Sequence, residues 1–128
     1  MIVGVGTDLV DVARFEAGLR DTPALAERVL TDREREACAT RPASLAVRFA
    51  AKEAVLKVLG SALAQRGRQA PSGWSYRDIE VVTAAGAPPR LALHGVVAQV
   101  ADELAVSHWH LSLSHDGGAA VAVVLAEG

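Results

Sequence analysis

Two stretches of this sequence carry side chains that could do chemistry together. In the first, Asp8 follows the run Ile2-Val-Gly-Val-Gly-Thr7, so its carboxylate can project from the end of a strand into a crevice. In the second, Arg48, Lys52, Glu53 and Lys57 lie close together in an otherwise apolar segment. At roughly 100° per residue, Leu45, Phe49, Leu56 and Leu59 share one helix face. Lys52 falls among them, Arg48 sits at one edge, and Glu53 and Lys57 sit at the other edge beside Phe49. Charge inside an apolar stripe is costly unless it is paired or bound.

Two readings of these charges stand side by side. In one, Glu53 and Lys57 form an i,i+4 surface pair, Lys52 snorkels to water, and Asp8 caps the helix that follows it. In the other, Arg48, Lys52 and Lys57 face an anionic ligand while Asp8 and Glu53 hold a hard cation. Mg²⁺ takes one or two carboxylates together with substrate phosphate oxygens, so that pair of acids would suit it.

The strand-like alternation Leu111-Ser-Leu-Ser-His115 turns Ser112 and Ser114 away from the leucines and ends on His115 at a turn. His115 is either a solvated turn residue or a further ligand contact. His94, His108 and His110 have no metal-ligand spacing with carboxylates or cysteine and read as surface or strand residues. The sequence contains no Walker A loop, GxSxG elbow or CxxC pair.

The elements that must position these residues are legible in outline. Ile2 to Asp8 reads as a strand and Asp11 to Leu19 as a helix. Pro23 to Leu30 reads as a second helix, with proline in its first turn. Thr31 and Glu34 make a capping box that opens a helix running to about Thr40, before Pro42. Ser44 to Leu59 is the clearest helix, capped by Ser44 and stopped by Gly60. Residues 61–73 read as a mobile loop. Tyr76 to Ala84 and Arg90 to His94 read as strands around a Gly86–Pro89 turn, and Gly95 to Leu104 as a helix. Trp109 to Ser114 and Ala119 to Leu125 read as a hairpin joined at Asp116-Gly117-Gly118. The mixed order of strands and helices makes the class α+β, an antiparallel sheet against a long central helix.

Bulk properties narrow the function. A chain of 128 residues suits one domain spanning 1–128, and 51% hydrophobic residues support a real core. A net charge of −2 argues against nucleic acid as the partner. The single Cys38 rules out an internal disulfide framework and fits a reducing compartment. The start MIVGVGTDLVDV lacks a basic n-region, and no apolar window reaches the length of a membrane span. The expectation is a soluble, cytoplasmic protein.

These pieces line up with one family. Gly4-Val-Gly-Thr-Asp8, then Arg14, then Glu27-Arg-Val-Leu-Thr-Asp-Arg-Glu34 resembles the N-terminal half of the holo-acyl-carrier-protein synthases. Arg48-Phe-Ala-Ala-Lys-Glu-Ala-Val-Leu-Lys57 with Gly60 resembles their central motif. Asp78-Ile-Glu-Val, Gly86-Ala-Pro88, Leu93-His-Gly95 and Ser112-Leu-Ser-His115 follow in the family's order.

The resemblance implies a short, bacterial-type 4′-phosphopantetheinyl transferase, a homotrimer with active sites between subunits. It implies Mg²⁺ on Asp8 and Glu53, and coenzyme A in the cleft as substrate. Arg48, Lys57, Ser112 and His115 become phosphate and nucleotide contacts, and the turn from Gly86 to Pro88 borders the adenine. Arg14 becomes the contact to an acidic acyl carrier protein, with Arg20 a weaker candidate. Leu30 stands where the family often has Phe, and loop 61–73 is longer than in many members.

The implied reaction moves phosphopantetheine from coenzyme A to a carrier-protein serine and releases adenosine 3′,5′-bisphosphate, in fatty acid synthesis or for polyketide and peptide synthase carriers. Such chemistry is mostly positioning and charge neutralisation, with Asp8, Glu53 and Lys57 as its centre. The serine's base is left open between Glu53, Asp8 and a water on the metal. A non-catalytic trimeric binding module and a purely structural α+β protein are the competing readings.

Overall fold

The computed structural model describes residues 1–128 and is α+β, as expected. Strand β1 (Ile2–Asp11) is followed by α1 (Val12–Asp21), α2 (Pro23–Val29) and α3 (Asp32–Cys38). The long α4 (Pro42–Gln65) leads to a short 3-10 turn at Tyr76–Asp78. Then come β2 (Ile79–Val82), β3 (Arg90–Leu93), α5 (Gly95–Glu103), β4 (His108–Asp116) and β5 (Ala119–Glu127). The strands form two antiparallel sheets, one ordered β1-β5-β4 and one pairing β2 with β3.

Helix α4 is the axis of the molecule. Ala50, Ala51, Ala54, Val55, Val58 and Leu59 are fully buried, and one core cluster joins them to Ala122, Val124 and Ala126 of β5 and to Val97 and Val100 of α5. The helix is therefore enclosed on most of its circumference, not along a single stripe. Small side chains let the sheet come close. A Cβ added at Gly6 would run into the Ala54 carbonyl and the Val58 side chain, and one at Gly4 would press on Val58. Glycine in β1 is the reason a strand backbone can lie directly on the helix.

A Gly6→Ala variant is expected to melt about 10 °C or more below the unaltered chain, because a backbone carbonyl cannot rotate away and overpacking costs typically about 1–3 kcal/mol or more. Thermal unfolding by circular dichroism checks this. A midpoint within about 2 °C of the unaltered chain would mean the strand lifts off freely.

Several boundaries differ from the sequence reading for identifiable reasons. Gly60 does not end α4. It is half-buried within the helix, which runs on through Leu63 to Gln65, taking residues 61–65 out of the expected loop. Leu63 is 1% exposed, and burial of such residues outweighs the roughly 1 kcal/mol that glycine costs a helix. Ser44 is not the cap either. The helix starts two residues earlier, with Pro42 in its first turn and Arg41 at the N-cap making no side-chain cap. Asp8 lies inside β1 rather than at its end, and Asp11 instead caps α1, accepting from the Arg14 backbone N–H at 2.9 Å. The expected strand from Tyr76 splits into the 3-10 turn and the shorter β2. The hairpin turn stands: Gly117 (φ 57°) and Gly118 (φ 81°) link Asp116 to Ala119, the backbone a tight two-residue turn requires. The capping box also stands, with the Thr31 hydroxyl accepting from the Glu34 N–H at 3.2 Å and the Glu34 carboxylate accepting from the Thr31 N–H at 2.9 Å.

Candidate functional site

Pairing with β5 puts Asp8 opposite Ala122, which in turn faces Leu113 on β4. Residues paired across antiparallel strands share a face, and Ala122 is in the core, so Asp8 is on the face that covers α4. Glu53 rises from α4 beneath it. The two carboxylates, distant in sequence, line one open cleft of about 360 Å³ with Arg14, Phe15 and Phe49.

Each carboxylate already has one partner. Lys57 Nζ donates to Asp8 Oδ1 at 2.8 Å and to the Thr7 carbonyl at 3.0 Å. The Asp8 hydrogen bond holds the Lys57 ammonium above the usual lysine range. The Tyr76 hydroxyl donates to Glu53 Oε1 at 2.6 Å. Burial, and then that bond to Glu53, push Tyr76 up to about 12, so the phenol is a donor throughout the neutral range. Phe15 stacks on Phe49 at 5.0 Å, and Phe49 meets Tyr76 at 5.5 Å, so an aromatic row walls the acids on one side. Lys57 is thus tied to Asp8 and not to Glu53, unlike the surface pair that helix spacing allows.

Lys52 does neither of the things its position suggested. It does not snorkel, and it does not face the cleft where an anionic ligand would lie. Its ammonium is fully buried, 2.6 Å from Glu34 Oε1, and donates to the Tyr76 carbonyl at 3.1 Å. Burial pushes Lys52 down and the Glu34 carboxylate opposes that shift. Glu34 Oε2 accepts from the Val81 N–H at 2.9 Å, so this acid ties α3 to both α4 and β2. Helical spacing placed Lys52 in the core stripe, but nothing local to it could indicate Glu34 as its counter-charge.

Arg48 is 5% exposed. Its guanidinium donates to the Ser44 carbonyl and to Thr83 Oγ1, both at 3.1 Å, and its Nε has no partner. The remaining candidates stand apart from the Asp8–Glu53 cleft. Gly86 (φ 75°) and Pro88 lie in the exposed β2–β3 turn. Ser112 pairs with Val123, which is 44% exposed, so it belongs to the sheet face turned away from α4. His115 is exposed just before the β4–β5 turn. One chain therefore brings together Asp8, Arg14, Glu53 and Lys57, and leaves Arg48, Gly86, Pro88, Ser112 and His115 outside the group. Tyr76 is the residue sequence reasoning missed. It was read as a strand start, though a lone tyrosine in a chain poor in aromatics was a usable signal.

As a donor set, Asp8 and Glu53 fit a hard cation. Each commits one oxygen within the chain and keeps its other oxygen, in a cleft open enough to admit phosphate oxygens. The arrangement suits neutralising a phosphate ester beside an approaching nucleophile.

Residues 4–124 match the family model of the 4′-phosphopantetheinyl transferase superfamily. The chain is 52% identical over 126 residues to the holo-[acyl-carrier-protein] synthase of Frankia alni, covering 98% of each protein. Its backbone resembles the acyl carrier protein synthase of Mycobacterium tuberculosis, with a TM-score of 0.74, 38% identity and coverage of 99% of this chain and 98% of that one. It also resembles the Helicobacter pylori holo-[acyl-carrier-protein] synthase in complex with coenzyme A, with a TM-score of 0.79, 29% identity and coverage of 96% and 99%.

Proposed function

The chain belongs to the 4′-phosphopantetheinyl transferase superfamily, and on that premise we propose that it is a Mg²⁺-dependent holo-acyl-carrier-protein synthase. A serine hydroxyl of apo carrier protein attacks the β-phosphorus of coenzyme A. The new bond is P–O to serine, the bond from that phosphorus to the bridging oxygen breaks, and adenosine 3′,5′-bisphosphate leaves. The serine proton passes to a base in the cleft or to solvent. The observation that carries this reading is the meeting of Asp8 and Glu53 in one cleft with Lys57 and Arg14 at hand.

The roles follow from chemistry. Asp8 and Glu53 hold Mg²⁺, which supplies neutralising charge to the diphosphate when bound. Lys57, with 54% of its side chain exposed, orients Asp8 and offers its remaining donor to a phosphate oxygen. Arg48, Ser112 and His115 contact the phosphates and nucleotide, and the Gly86–Pro88 turn borders the base.

The outer sheet face supports a further part of the reading, a homotrimer with sites between subunits. Val5, Leu9 and Val123 are 58%, 71% and 44% exposed on neighbouring strands. Covering that face with a second copy would bury these side chains, with Ser112 on the same face beside them. We place the enzyme in the cytoplasm, in keeping with the free thiol of Cys38. No helix is long and apolar enough to cross a membrane.

The deciding experiment incubates apo carrier protein with coenzyme A, Mg²⁺ and the chain, and reads the carrier's mass. Gain of one phosphopantetheine group is expected. Retention of coenzyme A with no gain by any apo carrier would leave a binding module instead. The carrier itself is acidic, so docking needs a local basic contact, and Arg14 is exposed at the cleft rim. An Arg14→Glu variant should raise the KM for carrier protein about tenfold with little change in kcat, since rim charges act chiefly on encounter. Equal KM values for the two proteins would remove Arg14 from the docking surface.

A further inference from the structure

The Glu53 carboxylate is held from below by a device that runs through one tyrosine. Tyr76 reaches it with the hydroxyl, 2.6 Å from Oε1, and leaves Oε2 without a protein partner. The tyrosine's own backbone is fixed in turn. Its carbonyl accepts from Lys52 Nζ at 3.1 Å, and Lys52 is locked 2.6 Å from Glu34 with neither side chain exposed. Its ring is half-buried and leans on Phe49 at 5.5 Å. Lys52 and Glu53 are adjacent on α4, so the helix grips Tyr76 at two points: the buried ammonium holds the main chain, and the carboxylate takes the side chain.

The geometry points to Tyr76 as a positioning residue that sets the orientation of the Glu53 carboxylate toward its cation. A carboxylate on a side chain of this length samples several rotamers in water. A fixed donor on one oxygen selects the rotamer in which the other oxygen is free for metal. Outer hydrogen-bond partners of metal-binding carboxylates commonly contribute a 10–100-fold factor in affinity or activity. The buried Glu34–Lys52 pair gives this donor a rigid mounting, which a tyrosine on an open loop would lack.

The inference rests on the reading of Asp8 and Glu53 as cation ligands, and the test separates the two. Mn²⁺ is titrated into the full chain with coenzyme A present, and free Mn²⁺ is followed by electron paramagnetic resonance. Tyr76→Phe removes only the hydroxyl and keeps the ring on Phe49. It should weaken Mn²⁺ binding about tenfold and raise the Mg²⁺ concentration for half-maximal turnover by a similar factor, with kcat at saturating Mg²⁺ and the melting temperature nearly unchanged. If Tyr76→Phe binds Mn²⁺ as the unaltered chain does, the hydroxyl positions nothing and the inference is overturned. That holds even if Tyr76→Ala binds poorly, because the loss then belongs to the ring. If the unaltered chain binds no Mn²⁺, or binds it equally well as Glu53→Ala, the ligand assignment itself fails and takes the inference with it.

Discussion

Replacing Glu53 by alanine is expected to cut phosphopantetheine transfer by a factor of about 10²–10³ while the protein still folds. The size follows from what the cation does in this reaction. Phosphoryl-type transfer needs little covalent help and much charge neutralisation, and removing one group that organises such stabilisation typically costs a factor of about 10²–10³. The fold should survive, because the Glu53 side chain bonds only the Tyr76 hydroxyl and alanine is the best helix former at an α4 position. Asp8→Ala should fall to a similar level, freeing Lys57 from its 2.8 Å contact. Since both acids serve one ion, the double variant should lose little beyond either single change. Glu53→Asp keeps the charge but withdraws it by one methylene, so excess Mg²⁺ should recover part of its rate. Single-turnover transfer measured over a range of Mg²⁺ distinguishes these cases. Full activity in both alanine variants would show that the cation, if used, is held elsewhere.

The second large effect is on stability. Lys52→Met should destabilise the fold by about 3–5 kcal/mol, the usual result of leaving one charge of a buried pair alone. Glu34 would keep its backbone donors from Thr31 and Val81 but lose the only cation within reach, with 1% of its surface exposed to water. For a domain of this size the melting midpoint should drop by about 10 °C or more. The combined change Glu34→Gln with Lys52→Met removes both charges and keeps an acceptor for one of the two backbone N–H groups that Glu34 satisfies, so it should regain part of the loss. Denaturant unfolding of the three variants checks this. If the single variant unfolds at the same midpoint as the unaltered chain, the pair is energetically idle.

These two cases also mark how far the sequence could be read. The Thr31–Glu34 capping box is a local pattern, and it stands as read. What else Glu34 does could not be read, because its partner Lys52 is a helix away and meets it only after α3 and α4 pack. Helical spacing correctly located Lys52 in the apolar stripe but not what would satisfy it there. Gly60 misled for a related reason: local propensity reads it as a stop, while the packing of α4 under β1 and β5 carries the helix past it. Asp8 and Glu53 were linked by what a hard cation requires and by a family pattern, not through any distance in the chain. Their shared cleft depends on Gly4 and Gly6 letting β1 settle on α4. The Tyr76 hydroxyl bond is not a local pattern, since the tyrosine sits in the 3-10 turn before β2 while its acceptor Glu53 lies on α4.

The strand order β1-β5-β4 has a consequence for how the molecule comes into being. β5 is the central strand of its sheet, yet it follows every other element along the chain. During synthesis β1 and α4 emerge with no strand between β1 and β4 to unite them, and the apolar flank of α4 that Ala122, Val124 and Ala126 will cover stays open. The ladder closes only when strands far apart along the chain meet, as in the pairing of Ile2 with Glu127. Contacts of such wide separation are slow to form, and open strand edges invite association meanwhile. Productive folding therefore waits on the synthesis of β5, and yield on expression should respond to chaperone supply more than the modest size of the fold suggests.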